Sequence, residues 1–455
     1  SRSSWNSRTM GRDEWLALWH GAGPQLACPI GCQALAARRC QGLSASFGLV
    51  YTEPVRPIPQ AELPRSAHAL KHQARYAGKD RIAQTVLQGP LLVAAQEVAE
   101  ANRTGAPRPK NAVGLILQVL TSWDGAWYYQ IIRHGYPSSI PPDVTYEMVE
   151  ARAAFFPAYP MLVRAIDVVL PGGDVFAGVF LNFVLGAVGI YLVGLLAREL
   201  FDQRVAYRAM LLVAFFPGSI ALSLTYSEAT LMVTAAACLL MLVRRNWVLA
   251  GVLATIGSAC RPNGIALSFA CAVAALIAIR ERREWRSLLA PLLSPWGFIG
   301  FQLYLKQRTG EWAWFRVQTE AWDEGNSFGF TAIKNTVEAI IHPLASPTDI
   351  ITAASVFTML ALAWMMHRKR LPWPIMTYTI VVLALMVLPS TVTARPRFLF
   401  TAFPLFISAA AWWPEEHEEA WGLVIAASSA GLVALAGLYG IAIAGWSSNN
   451  KYSML

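Results

Sequence analysis

The residues of this chain best equipped for chemistry are two carboxylates and a small set of arginines. Each stands at an aromatic or proline-marked break between apolar runs. Asp124 lies in Ser122-Trp123-Asp124-Gly125-Ala126-Trp127-Tyr128-Tyr129, followed by Arg133-His134-Gly135-Tyr136-Pro137. It follows an apolar run directly, which sets it at a membrane surface. An ordinary Asp is ionised at neutral pH, so it can take a proton from a sugar hydroxyl without unusual tuning. Trp123, Trp127 and Tyr128 can stack on sugar faces, or they can form an interfacial aromatic belt around a solvated Asp. Glu228 ends the stretch from Phe215-Phe216-Pro217-Gly218-Ser219 to Tyr226-Ser227-Glu228. A carboxylate next to hydrocarbon is expensive and therefore a functional candidate. The alternative is a Glu that reaches the headgroups.

The arginines are Arg261, in Cys260-Arg261-Pro262-Asn263-Gly264, and Arg395 and Arg397, in Thr393-Ala394-Arg395-Pro396-Arg397-Phe398 ahead of Phe403-Pro404-Leu405-Phe406. A guanidinium presents a fixed fork of donors that suits phosphate. An arginine that snorkels to lipid headgroups is the plainer reading. Phe155-Phe156-Pro157-Ala158-Tyr159-Pro160 reads as a helix opening, because proline suits the first turn.

The elements that must position these residues are membrane helices. Of 455 residues 55% are hydrophobic and only 14% charged, against about 25% charged in soluble domains. So much apolar surface needs lipid, and the 17 tryptophans fit membrane interfaces. The pattern predicts an all-α, polytopic integral membrane protein of about ten or eleven transmembrane helices. The spans are expected at 176–197, 209–226, 228–243, 247–260, 262–279, 288–305, 351–366, 372–390, 398–413 and 421–445.

The net charge of +9 could serve nucleic acid or a membrane's cytoplasmic face. The arginines sit in short loops between apolar runs, which favours the membrane and excludes nucleic acid as a partner. Arg198, Arg204 and Arg208, Arg244 and Arg245, Arg280 to Arg286, and Arg368 to Arg370 fall in alternate loops and mark the cytoplasmic side. Residues 121–175, the corners at 226–228 and 261–263, the 306–350 loop and the 391–397 loop then share the opposite side. Trp312, Trp314 and Trp322 in the 306–350 loop read as interface anchors before they read as an acceptor site.

Three domains are expected: an N-terminal segment at 1–110, a membrane domain at 111–445 with its catalytic loop at about 121–175, and a short polar tail at 446–455. Residues 1–110 show no convincing span and start at Ser1, which leaves a disordered or a mis-started segment open. Cys28, Cys32 and Cys40 near His20 match no standard zinc spacing, so no metal site is expected there.

Together the motifs resemble the PIG-V family of mannosyltransferases, whose eukaryotic members add the second mannose in GPI-anchor synthesis. The likeness rests on Trp123-Asp124-Gly125 with Trp127-Tyr128, Phe156-Pro157 with Tyr159-Pro160, Tyr226-Ser227-Glu228, Arg261-Pro262-Asn263-Gly264, and Arg397-Phe398 with Phe403-Pro404. They occur in the family's order over roughly residues 115–410. Arg397-Phe398 stands where the family has Arg-Tyr.

The resemblance implies a GT-C glycosyltransferase with a polyprenyl- or dolichyl-phosphate mannose donor, a lipid-linked or glycan acceptor, and membrane lipids as its surroundings. It implies Asp124 as the base with Glu228 assisting, and Arg261, Arg395 and Arg397 on the donor phosphate. Trp123, Trp127, Tyr128, Tyr226 and Asn263 are candidate substrate contacts. No cofactor is expected, although a divalent ion on Asp124 and Glu228 stays open. The membrane would be the plasma membrane in a bacterium, to which the Ala- and Arg-rich loops point, or the endoplasmic reticulum in a eukaryote. Three rivals remain: a transporter or lipid flippase, a non-catalytic subunit of a glycosylation complex, and a GT-C enzyme for another sugar.

Overall fold

The computed structural model describes residues 116–117, 119–146, 148–342, 347–390 and 396–449. The chain divides into two units, residues 1–74 and 75–455, and every described residue belongs to the second. The N-terminal segment with its three cysteines, and Arg395, lie outside the described residues.

Regular structure in the described residues is helical, and the β-bridge between Asn326 and Pro389 is isolated. The helices are α1 Asp124–His134, α2 Ala158–Asp167, α3 Gly173–Leu200, α4 Gln203–Phe215, α5 Glu228–Val243, α6 Trp247–Ser258, α7 Ala266–Arg282, α8 Trp296–Thr309, α9 Ala313–Glu320, α10 Phe330–Ile341, α11 Pro347–Lys369, α12 Trp373–Val387, α13 Pro396–Thr401, α14 Pro404–Trp412 and α15 Glu418–Asn449. Short turns of helix, Trp285–Leu288 and Leu289–Leu293, lead into α8.

Length decides which helices cross a bilayer unaided. α3 has 28 residues, and at about 1.5 Å each it outreaches a hydrocarbon core of about 30 Å. Among the described residues five stretches are long and apolar enough to cross: Gly173–Leu200, Pro262–Arg282, Trp285–Thr309, Ile350–Lys369 and Glu415–Gly437. Glu228–Val243, Trp247–Ser258 and Trp373–Val387 are apolar but shorter.

Prolines divide two of the expected spans. The run expected at 209–226 leaves α-helix after Phe215 and becomes a 3-10 turn at Pro217–Leu222. The run expected at 398–413 splits into α13 and α14 at Ala402-Phe403, ahead of Pro404. Proline has no N–H to donate and fixes its own φ, so it starts a helix more readily than it continues one. At the C-terminus α15 continues to Asn449.

Small residues let the long helices approach. On α3, Gly186 faces Leu222, Gly189 faces Met232 and Gly194 faces Met210.

The two ends of the bundle differ in character. At one end Arg244 meets Glu199 at 2.9 Å, the Trp247 indole donates to Glu284 at 2.7 Å, and buried Arg208 donates to Glu418 at 2.5 Å and the Trp413 carbonyl at 3.0 Å. This is the end of the basic loops. The other end holds the first residues of α1, α3 and α5, where Arg133 binds Asp174 at 2.6 Å. The aromatic and carboxylate motifs gather there.

Candidate functional site

Asp124 is the first residue of α1, and the residue before it is strained. Trp123 has φ 60 and ψ −119, a conformation that non-glycine residues rarely adopt. Strain of this kind persists only where the surroundings enforce it, and it clusters at functional sites. What holds α1 here is a tie to the α5 corner. Thr225 donates from its backbone N–H and its hydroxyl to the Leu120 carbonyl, at 2.9 and 3.1 Å. A Cβ on Gly125 would fall 2.6 Å from the Thr225 hydroxyl, so the approach needs glycine.

The corner itself is held by Asn182, buried in the middle of α3. Its amide donates to the carbonyl of Leu224 and, at 2.8 Å, to that of Tyr226. Glu228 then opens α5 with its side chain fully buried.

Arg261 follows the end of α6 in extended conformation and leads into the turn Pro262–Ile265. The end of α6 is pinned by the Ala158 N–H at the start of α2, which donates to the Ala259 carbonyl at 3.0 Å. Arg397 is carried by α13. The Asn263 amide donates to the Thr401 hydroxyl at 3.2 Å, and the Tyr378 hydroxyl donates to the Thr401 carbonyl at 2.9 Å. These bonds fix the Arg261 turn against the helix that bears Arg397.

Four charged groups from distant parts of the chain therefore converge. Arg261 Nη1 lies 2.6 Å from Glu228 Oε1 and 4.0 Å from Asp124 Oδ2. Arg397 Nη1 lies 2.9 Å from Asp124 Oδ2, and its Nε lies 3.4 Å from Glu228 Oε1. Aromatic faces complete the cradle: Arg397 lies 5.0 Å from the Tyr226 ring and 4.7 Å from Phe398, and Arg261 lies 5.7 Å from Phe398. Side-chain exposure grades from 0% at Glu228 through 13% at Arg261 and 19% at Asp124 to 23% at Arg397. Two guanidiniums and two carboxylates cancel in formal charge, and the two faces open to solvent are Asp124 and Arg397.

The remaining candidates divide. Tyr128, one helical turn beyond Asp124, shares a 2.7 Å hydrogen bond with the Ser227 hydroxyl, and its burial pushes the phenol above its ordinary value. It remains a neutral group that locks α1 to the Glu228 corner. Tyr226 is the floor under Arg397. The Asn263 amide nitrogen is taken up by Thr401. Trp123 is 40% exposed beside Asp124. Trp127 is buried in an aromatic cluster with Tyr146, Phe155 and Trp322, at centroid distances of 5.7, 6.0 and 6.1 Å.

The three loop tryptophans do not act alike. Trp312 is exposed under Lys306, Trp314 donates to the Ala154 carbonyl at 3.1 Å, and Trp322 packs against Tyr146 at 4.6 Å. Trp322 is therefore part of the Trp127 aromatic cluster and not a free interface anchor. Asn182, Thr401 and Tyr146 escaped the sequence reading, and Ser227 entered it only as part of the Tyr226-Ser227-Glu228 motif. Of the three, Asn182 alone carried a signal there, as an amide inside an otherwise apolar run.

A family model of dolichyl-phosphate-mannose-protein mannosyltransferases matches residues 157–304. That segment includes Glu228, Arg261 and Asn263 and stops short of Asp124 and Arg397. Among solved structures, the chain is similar to ArnT of Cupriavidus metallidurans bound to undecaprenyl phosphate, with 15% identity over 74% of this chain and 78% of that one, and a TM-score of 0.44. It is also similar to the oligosaccharyltransferase AglB of Archaeoglobus fulgidus in complex with an inhibitory peptide and a dolichol-phosphate, with 15% identity, 78% of this chain, 55% of that one, and a TM-score of 0.42. The chain thus spans about half the length of the archaeal enzyme. No curated protein matches the sequence. Residues 157–304 are similar to the mannosyltransferase family, inside an all-helical fold with several membrane-spanning helices.

Proposed function

We propose that this chain is a GT-C-type membrane glycosyltransferase that moves mannose from a polyprenyl- or dolichyl-phosphate carrier to a lipid-linked or glycan acceptor. The observation that carries the reading is the convergence of Asp124 and Glu228 with Arg261 and Arg397 at the end opposite the basic loops. The mannosyltransferase likeness over residues 157–304 supports the donor class. The finer likeness, to the PIG-V family, rests on the order of its motifs from Trp123 to Pro404.

The chemistry follows from the groups present. An acceptor hydroxyl at Asp124 gives its proton to the carboxylate. Its oxygen attacks the anomeric carbon from the face opposite the phosphate, so configuration inverts. The bond from that carbon to the phosphate oxygen breaks, and the electron pair leaves with the polyprenyl phosphate. Charge grows on that leaving group, and preorganised guanidiniums stabilise it without reorganisation at the moment of reaction. Arg261 and Arg397 are the donors for this role, with Arg395 as a further candidate from the same strand of sequence. Glu228 contacts both guanidiniums and holds their geometry, so its assistance to catalysis is that of a positioning group. A divalent ion on Asp124 and Glu228 would have to displace both arginines.

The test is transfer of labelled mannose from polyprenyl-phosphate mannose in membranes carrying the protein, comparing wild type with Asp124→Asn at matched expression. Label is expected to move in wild type and not in the variant. Equal transfer by both would remove Asp124 from the role of base. A silent wild type would overturn the reading and leave a transporter or a non-catalytic subunit in its place.

A further inference from the structure

The base and the donor-binding cation are bound to each other in this structure. Arg397 Nη1 sits 2.9 Å from Asp124 Oδ2, so the carboxylate oxygen that must accept a proton already has a cation as its partner. The two arginines differ in how they are held. Arg261 is the less exposed, and its shortest contact, 2.6 Å, is to the fully buried Glu228. Its distance to Asp124 is 4.0 Å. Arg397 is the more exposed, contacts Asp124 more closely than Glu228, and lies over the Tyr226 and Phe398 rings. Glu228 can retain Arg397 through Nε while Nη1 changes partner, and the rings keep the guanidinium in plane. The residue is built to exchange one anion for another.

Resting on the function proposed above, we infer that Arg397 is a latch: the donor's phosphate and Asp124 compete for its Nη1, so the base is released only when donor is bound. Arg261 stays on Glu228 as the fixed half of the phosphate site. Substrate addition is then ordered, donor before acceptor, and an acceptor hydroxyl arriving first meets a carboxylate that is engaged. The exchange is ionic. The phosphate takes the place of one carboxylate on Arg397, and Asp124 keeps its negative charge and loses that contact.

The experiment reads Asp124 directly. The full chain is reconstituted in lipid and perfused with farnesyl phosphate, which carries the phosphate and an isoprenoid tail but no sugar. Infrared difference spectra are recorded for wild type, Asp124→Asn and Arg397→Ala, with farnesyl phosphate affinity measured on the same samples. Wild type is expected to show a carboxylate difference band that Asp124→Asn lacks. Arg397→Ala is expected to bind farnesyl phosphate about tenfold or more weakly, from the loss of one charge-assisted contact, and to show no such band, because its Asp124 has no Arg397 contact to give up. Arg397→Lys, which keeps the cation and loses the fork, guards against misfolding of the alanine variant and is expected to show a weakened band.

Binding by wild type without an Asp124 band would overturn the latch, and so would an equal band in Arg397→Ala. Failure of farnesyl phosphate to bind wild type would overturn it as well. The two readings fail separately. Loss of transfer in Asp124→Asn without the band sinks the latch alone, whereas the band without any transfer sinks the glycosyltransferase reading alone.

Discussion

Replacing Glu228 by Gln tests whether the charged cluster is a single unit. The side chain keeps its shape and loses its charge, in a position with no solvent exposure. At an effective dielectric constant of about 20, a unit charge 2.6 Å from Arg261 is worth about 6 kcal/mol, and one 3.4 Å from Arg397 about 5 kcal/mol. Most of that is offset, because ionised Glu228 has to be stripped of water and the two guanidiniums repel each other. The measured cost of removing one partner of a buried ion pair is about 3–5 kcal/mol. The lower end applies here, since Arg397 retains Asp124 and is 23% exposed.

About 3 kcal/mol is roughly a 150-fold loss in kcat/KM, if it appears in the transition state for transfer. The same loss in the free protein would appear as a lower midpoint of thermal inactivation in detergent. The assay is single-turnover transfer of labelled mannose, paired with thermal inactivation of the same preparation. Glu228→Asp, with charge retained and reach shortened, should recover part of the loss. If Glu228→Gln transfers mannose at the wild-type rate and inactivates at the wild-type temperature, then the arginines do not depend on Glu228 and the cluster is not one unit. If Gln and Asp variants fail alike, charge alone does not restore the site and the full reach of the carboxylate is needed as well.

Two further outcomes follow from the supports around the cluster. Asn182→Leu removes two donated hydrogen bonds and leaves the Leu224 and Tyr226 carbonyls without that donor, at about 1–3 kcal/mol each. Inactivation should begin several degrees lower and transfer should fall, and unchanged behaviour in both assays would mean that the corner is held without Asn182. Gly218→Ala would drive a Cβ into the Pro396 carbonyl, next to Arg397. Overpacking of this kind costs about 1–3 kcal/mol, and the displacement should weaken donor affinity more than it lowers the inactivation temperature. An equal or larger thermal effect would place Gly218 in the general packing and not in the support of Arg397.

The chemistry was more legible in the sequence than its wiring. Asp124, Glu228, Arg261 and Arg397 stand out because charge is rare in an apolar chain and costly near lipid. Their types and their common side could be inferred from charge and hydropathy alone. Their pairing could not. Asp124 and Arg397 are far apart in sequence, and no local period reports a contact of that range. Asn263 illustrates the limit: nothing in its motif announces that its amide reaches Thr401 on α13. Trp322 shows the same, since an exposed-looking loop tryptophan joins the Trp127 aromatic cluster only once the loop folds back. The division of two expected spans was illegible for a different reason. Apolar runs report burial in lipid or protein alike, and the prolines at 217 and 404 open new helical turns inside two of them.

The arginines at the carboxylate end run against the tendency of basic residues to stay on the cytoplasmic face. Read from sequence, an anionic lipid phosphate is one account of them and snorkelling to headgroups the other. In the folded chain Arg261 and Arg397 already have carboxylates, and the cluster of Asp124, Glu228, Arg261 and Arg397 carries no net formal charge. The phosphate and the carboxylates are complementary accounts. A neutral cluster costs less to hold beside hydrocarbon than two unpaired cations would, so the carboxylates permit arginines at a membrane surface before any substrate arrives. They also set the electrostatics of arrival, because an incoming phosphate meets no bare positive patch and must compete with Asp124 for Arg397. Affinity for the phosphate is thereby lowered, and the exchange leaves a freed carboxylate beside the place where the acceptor hydroxyl has to lose its proton.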